Sequence, residues 1–130
     1  MQKREAQFTQ LFRHWLKANP NFTTSAAFEL KQTGSNSLPF SAVVEHQITG
    51  LQAANSSTGI LFKLPDDSRG IKPFDLFYLK DCPAYVVIKY PLGFEIITIG
   101  TFLREKAISK RKSLTHSRAK EISVVSVKTK

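Results

Sequence analysis

Apolar residues near the start of the chain recur with the spacing of an amphipathic helix. Five large apolar side chains lie three or four positions apart, as one helical face requires: Phe8, Leu11, Phe12, Trp15 and Leu16. Pro20 disfavours helical backbone at Asn19, the residue before it. The pattern predicts a helix over residues 3–18 with one buried face. Glu5 extends that face toward the helix start, where the helix dipole also favours a carboxylate.

The next segment alternates with period two. We predict a strand over residues 22–31, in which Phe28 and Leu30 alternate with Glu29 and Lys31. Alternate side chains of a strand lie on one face, about 6–7 Å apart. We therefore expect a carboxylate and an ammonium group side by side at the end of this strand. Taken alone, the same pair also fits an ordinary salt bridge on a solvated strand face.

A second helix is predicted over about residues 42–54, after a loop at 34–37. Ser41 is placed to cap this helix. Its expected inner row consists of Val44, Ile48 and Leu51, with Gln47 between them on the same face.

The remaining elements are mostly strands. The apolar pattern predicts a buried strand at 59–64, a further strand at 75–79, a hairpin of 84–90 with 94–99, helices at 101–109 and from Ser113 or Thr115 to 121, and an edge strand at 124–127. Strands and helices alternate without an internal repeat. The order predicts an α/β fold, with one domain over 1–130 and a mixed sheet flanked by helices.

Composition narrows the class of protein. The chain has 130 residues, of which 42% are hydrophobic, and no apolar run reaches the length of a membrane span. It has one cysteine, Cys82, so an internal disulfide is excluded. We expect a cytoplasmic protein that is neither secreted nor inserted in a membrane.

The net charge of +9 predicts a polyanionic partner. From Arg104 onward there are nine lysines and arginines against two glutamates, so this basic segment carries seven of the nine net charges. Nucleic acid is the first expectation, although ribosomal and membrane-surface proteins share such segments. The candidate phosphate-binding residues are Lys110, Arg111, Lys112, Arg118 and Lys120. His116 lies among them, and no Cys/His group has the spacing of a zinc site.

From Phe28 onward the chain resembles the RecU-type Holliday junction resolvases of the PD-(D/E)xK nuclease superfamily. The resemblance depends on residues 28–33, 37–40 and 46–48 and on the apolar strand from Gly59. It implies a restriction-endonuclease-like fold and a homodimeric, metal-dependent endonuclease acting on branched or structured DNA. Small nucleases of this kind often belong to phages.

The resemblance also implies roles for four side chains. Glu29 would bind Mg²⁺ or Mn²⁺, Lys31 would be the catalytic lysine, and Gln47 would position the substrate. Glu5 would be a further metal ligand or an outer-shell carboxylate. These residue types suit phosphodiester cleavage, because the reaction needs a metal-activated water and a cation beside the developing charge.

The chain departs from the superfamily pattern in its aspartates. The superfamily has an aspartate before the glutamate–lysine pair, whereas here every aspartate follows the pair. One interpretation is that Asp75, held between Pro73 and the next strand, has taken over as a metal ligand. Asp66 and Asp67 are better explained as solvated loop residues. A second interpretation is a non-catalytic nucleic-acid-binding protein that keeps the nuclease fold. A third is a structural protein with a basic surface.

Overall fold

The central sheet forms where the sequence is most apolar. The computed structural model describes the backbone of residues 3–19 and 25–129, and the side chains of 6–19 and 25–129. Strands β5 (Ala84–Tyr90) and β6 (Gly93–Thr98) form the predicted hairpin, and their inner residues are completely buried. The other strands are β1 (Ala27–Gln32), β2 (Ser37–Pro39), β3 (Ile60–Lys63), β4 (Leu76–Leu79), β7 (Ser113–Thr115) and β8 (Val125–Lys128).

The sheet is mixed, with strand order β1-β5-β6-β8. β1 runs parallel to β5, whereas β6 is antiparallel to both β5 and β8. The two outer positions belong to β1, which carries Glu29 and Lys31, and to β8, which confirms the edge strand predicted at 124–127. Residues 22–24 of the first predicted strand lie outside the described part of the chain.

Helix α1 (Lys3–Ala18) covers one face of the sheet. Phe8 and Phe12 are buried there against Val87, Phe94 and Ile96. The predicted helix and most of its apolar face are confirmed. Leu11 is the exception, since 38% of it is exposed.

The opposite face is covered by α2 (Glu45–Asn55), α3 (Ile99–Ile108) and α4 (His116–Ile122). Ile48 and Leu51 of α2 and Phe102 of α3 pack on Val86 and Ile88 of β5. The molecule is thus a single α/β domain with a four-stranded mixed sheet between helices. This confirms the predicted fold class.

The start of α2 differs from the prediction. Ser41 does not cap it, because residues Phe40–Ala42 form a separate 3₁₀ turn and the helix begins at Glu45. Val44, expected in the buried row, is 41% exposed. The N–H of Val44 is satisfied by the side chain of Gln47, at 3.1 Å. A glutamine at this helical position can reach back in this way.

Two short two-stranded sheets complete the fold. β2 pairs with β7. This pairing joins the loop after β1 to the basic segment and was not predicted. β3 pairs with β4 and does not join the central sheet. The strand predicted at 59–64 is present as β3, but the prediction that it is buried was wrong, since Leu61 and Phe62 are 64% and 50% exposed. No helix in the described part of the chain is both long and apolar enough to cross a bilayer.

Candidate active site

Glu29 and Lys31 lie on the face of β1 that α2 covers. Their register partners on β5 are Val86 and Ile88, which belong to the core beneath α2. Lys31 Nζ is 3.4 Å from Glu29 Oε2. The side chains are about a quarter exposed, so the pair is open to a ligand and is sheltered on its inner side.

A cavity of about 400 Å³ surrounds this pair. It is lined by Phe8, Thr9, Glu29, Leu30, Lys31, Gln32 and Gln47. Because β1 is an edge strand, the cavity can wrap around its free edge. Its lining residues therefore come from both faces of β1. The structure therefore brings three of the four predicted catalytic residues together.

Gln47 has two functions at this position. Its Oε1 accepts the hydrogen bond from the N–H of Val44 and so stabilises the first turn of α2. The amide nitrogen is then the group with which Gln47 can donate to a ligand in the cavity. This suits the positioning role implied by the resemblance and not metal ligation.

Gln32 is a site residue that sequence reasoning missed. It lines the cavity, and its buried Oε1 has no hydrogen-bond partner among the described residues. The sequence did contain a signal, because Gln32 occupies the position where the Phe28–Leu30 alternation predicts a third apolar side chain. A buried carbonyl oxygen without a partner is costly, and Gln32 lies on the α1 face of β1, opposite Glu29 and Lys31.

The side chain of Glu5 lies outside the described part of the structure. Its backbone position is in α1, one turn before Thr9, which lines the cavity. The metal-ligand role of Glu5 remains a prediction.

Asp75 is placed away from the cavity lining. Its side chain is 81% exposed, and its carboxylate is 3.1 Å from Lys72 Nζ. Asp66 contacts the same lysine at 2.6 Å. The carboxylates and Lys72 thus form a surface ion-pair group in the β3–β4 hairpin, and the geometry gives no support to Asp75 as a ligand beside Glu29.

The residues at the cavity fit a weakly held, hydrated magnesium ion. Mg²⁺ prefers oxygen ligands and keeps several waters, so one or two carboxylates are usual. Glu29 supplies one carboxylate, whereas the side chain of Gln32 lies on the opposite face of β1. Within residues 6–19 and 25–129, no three His, Cys, Asp or Glu side chains come together as a metal-binding group.

Comparison with known proteins does not extend this picture. No protein family, curated protein or solved structure matches the chain. The assignment of function therefore depends on the residues and their geometry.

The basic segment lies directly beside the loop that follows β1. The N–H of Phe40 donates to the carbonyl of Lys112, at 3.0 Å, and the β2–β7 pairing continues this contact. Lys110, Arg111 and Lys112 are exposed. The sequence-predicted cationic run therefore lies close to the chain segment that leaves the candidate site.

Arg118 differs from these residues because it is paired within the protein. Its guanidinium donates to both carboxylate oxygens of Glu105, at 2.8 and 3.0 Å, and lies 3.4 Å from Glu121. The Glu105 side chain is only 10% exposed. Arg118 joins α3 to α4, so its charge is already neutralised and the other cations are the better candidates for phosphate contacts.

This pair predicts a loss of stability in acid. Hydrogen bonds from Arg118 hold the pKa of Glu105 below its usual range, against the opposing effect of burial. A carboxyl whose folded pKa is depressed stabilises the protein above its unfolded pKa, about 4.3, and this contribution is lost as the pH falls through the folded value. We expect the urea concentration at the unfolding midpoint to decrease as the pH is lowered below about 4.5. The decrease should be less steep in Arg118→Gln. Arg111→Gln, which removes an exposed charge, should keep the wild-type slope. Parallel curves for the wild type and Arg118→Gln would contradict this account.

Proposed function

We propose that the protein is a metal-dependent endonuclease that cleaves phosphodiester bonds of branched or structured DNA. The observation that carries the proposal is the single cavity in which Glu29, Lys31 and Gln47 meet. An acid, a cation and an amide donor from one strand and one helix are the groups that this hydrolysis needs. The exposed lysines and arginine at 110–112 supply charge for the DNA backbone.

Each side chain has a defined role in this proposal. Glu29 would hold Mg²⁺ or Mn²⁺, which when bound lowers the pKa of a water and polarises the phosphate. Lys31 lies next to the reacting phosphate and stabilises the negative charge that develops there. The amide nitrogen of Gln47 donates to a phosphate oxygen and fixes its orientation.

The proposal is tested with purified protein and labelled DNA. Four-way junctions, flaps, duplexes and single strands are incubated with Mg²⁺, Mn²⁺ or chelator. We expect metal-dependent cutting of the branched substrates. If none of them is cut although the protein binds them, the second interpretation stands: a nucleic-acid-binding protein that keeps a nuclease fold. The placement of Asp75 outside the cavity is the observation that favours this alternative.

We also propose that the protein acts as a homodimer in the cytoplasm. Two symmetric cuts need two sites, and a two-fold dimer supplies them. The β3–β4 hairpin is the surface that best suits a second copy. It exposes six large apolar side chains, each at least half exposed: Leu61, Phe62, Ile71, Phe74, Leu76 and Tyr78. The lone thiol of Cys82 is consistent with a reducing compartment.

Charge favours a protein partner at this hairpin over a polyanion. Leu61, Leu76 and Tyr78 share one face of the two-stranded sheet, whereas Phe62 lies on the other face. At roughly 100 Å² for each half-exposed large side chain, these three present about 300 Å², so further residues complete a standard interface of about 800 Å² per partner. Residues 60–79 contain three cations and three anions, so their net charge is zero in a chain of +9. A neutral apolar surface is unattractive to a polyanion, and its mixed charges can pair across a two-fold axis.

Leu61→Asp is expected to shift the protein from dimer to monomer. Leu61 is 64% exposed, so the substitution leaves the monomer core intact while placing a charge in the proposed interface. Sedimentation velocity over a range of concentrations measures the effect. Leu92→Asp is the matched control, because Leu92 is 65% exposed on the β5–β6 turn. A monomeric wild type, or the same shift in both variants, would exclude this interface.

A further inference from the structure

A second polar site lies on the same face of the sheet as Glu29 and Lys31. Lys31 pairs in register with Ile88, and Ile88 pairs with Glu95 of β6. Register partners share a face of the sheet, so Lys31 and Glu95 lie in one cross-strand row. They are two strand spacings apart, about 10 Å.

Glu95 is a fully buried carboxylate with one partner. Its Oε2 is 2.9 Å from Nε2 of His116, at the start of α4. Its Oε1 has no hydrogen-bond partner among the described residues. A buried carboxyl group needs hydrogen-bond partners, and the His116 ring nitrogen supplies one.

The His116 ring is held in one orientation. Tyr90 stacks on it with ring centroids 4.3 Å apart and the planes 7° from parallel, and the Tyr90 hydroxyl donates to the carbonyl of Leu114 at 2.9 Å. Burial, together with the negative charge of Glu95, raises the pKa of Tyr90, so the phenol stays a donor. Since Nε2 is directed at Glu95, Nδ1 lies on the opposite side of the ring.

His116 is also part of the wall of an open cleft of about 510 Å³. The cleft lies between the loop after β1 and the start of α4, and its polar lining includes Ser35, Asn36, Ser37, His116, Ser117 and Lys120. Its lining contains hydroxyl, amide, imidazole and ammonium groups and no carboxylate. Donors of these kinds with a net positive charge recognise phosphate oxygens.

We propose that this cleft binds a backbone phosphate of the same nucleic acid whose scissile phosphate lies at the Glu29–Lys31 cavity. The inference rests on the nucleic-acid part of the proposed function. Lys120 provides the charge, and His116, Ser37 and Ser117 provide further polar groups. Glu95 acts as a positioning residue, because it holds the imidazole without touching the ligand.

The position of the cleft favours a DNA backbone over free phosphate. Gln32 lines the cavity and Ser35 lines the cleft, so the short loop after β1 connects the two. The exposed run at 110–112 directly precedes β7, whose last residue, Thr115, also lines the cleft. A nucleic-acid strand that contacts both sites would also pass close to this cationic run.

The experiment measures DNA affinity against salt concentration for matched variants. Fluorescence anisotropy with a labelled four-way junction, without divalent metal, gives the slope of log K against log salt. Loss of one phosphate contact should reduce that slope by about 1. We expect this reduction, with several-fold weaker binding, for Lys120→Gln. Lys128→Gln, which removes an exposed charge from β8, should keep the wild-type slope.

His116→Gln provides a second variant. Glutamine can place its amide nitrogen near the position of Nε2 and so keep the bond to Glu95, while it removes the imidazole ring from the cleft wall. We expect wild-type folding by circular dichroism and weaker junction binding. Amide NMR spectra with added inorganic phosphate form a separate arm, in which shifts at Ser35, Ser37 and Ser117 should saturate and should be displaced by DNA.

Each outcome decides between the proposals. If Lys120→Gln and Lys128→Gln have equal slopes and His116→Gln binds like the wild type, the cleft is not a DNA subsite. Saturable phosphate binding that DNA does not displace would assign it to free phosphate instead. If the wild type cuts no DNA but the cleft variants still reduce the slope, the nuclease proposal fails and the subsite stands. If the wild type cuts DNA and the cleft variants keep the wild-type slope, the nuclease proposal stands and the subsite fails.

Discussion

Glu29→Gln is expected to abolish metal-dependent cleavage, with a loss of ~10³-fold or more, and to leave DNA binding within a few-fold of wild type. The substitution keeps the size of the side chain and removes the charge that would hold the metal. Binding depends mainly on phosphate contacts by lysines and arginines. Single-turnover cleavage of a four-way junction, with anisotropy measured in parallel, separates the two effects.

Asp75→Asn is the matched control for this experiment. It removes the same charge from a carboxylate that is 81% exposed and paired with Lys72 in the hairpin. We expect wild-type cleavage from it. If instead Asp75→Asn abolishes cleavage, Asp75 reaches the site in the DNA complex. Full activity of Glu29→Gln would remove the cavity from the mechanism altogether.

Phe12→Ala is expected to lower the free energy of unfolding by about 3–5 kcal/mol, the usual cost of truncating a buried phenylalanine. Phe12 is 3% exposed and fixes α1 to the sheet. Its ring centroid is 5.0 Å from that of Phe28 and 5.8 Å from that of Phe94. Alanine would leave a cavity between three elements, and neighbouring rings cannot fill it without moving α1.

Urea unfolding followed by circular dichroism measures this loss. Leu11→Ala in the same helix is the control, because Leu11 is 38% exposed and its truncation should cost about 1 kcal/mol or less. Equal losses in the two variants would mean that α1 is held by general apolar contact and not by the aromatic group around Phe12. Since α1 supplies Phe8 and Thr9 to the cavity wall, we also expect Phe12→Ala to weaken cleavage.

Local patterns in the sequence predicted the elements well and their burial less well. The run at Ala84–Tyr90 was assigned correctly because a continuous apolar segment suits a strand covered on both faces. The run at Ile60–Lys63 has the same character and was assigned to the core, yet it lies in an exposed hairpin. Both runs are apolar apart from one lysine. Only the tertiary arrangement, in which β1 and not β3 pairs with β5, distinguishes them.

The candidate site shows the same limit. Glu29 and Lys31 were predictable because two residues on one strand have a fixed geometry. The position of Gln47 on the inner face of the second helix was predictable from helical periodicity. The hydrogen bond that its side chain accepts from the N–H of Val44 was not. The contact between Glu95 and His116 could not be predicted, since it joins a strand to a helix 21 residues later and neither residue belongs to a local pattern. The exposed position of Asp75 is likewise set by the hairpin.

The parallel pairing of β1 with β5 has a consequence for how the protein folds. Ala27 pairs with Ala84, 57 residues later (84 − 27), whereas β5 and β6 are neighbours that can pair through a tight turn. Closing the longer loop is entropically expensive and slow, so the hairpin is expected to form first and β1 to dock onto it afterwards. During synthesis, Glu29, Lys31 and Gln47 therefore leave the ribosome well before the strand that holds β1 in place. A nascent chain that ends before Ala84 contains all three side chains without the ladder that aligns them, so the proposed site can form only after β5 and β6 have been synthesised.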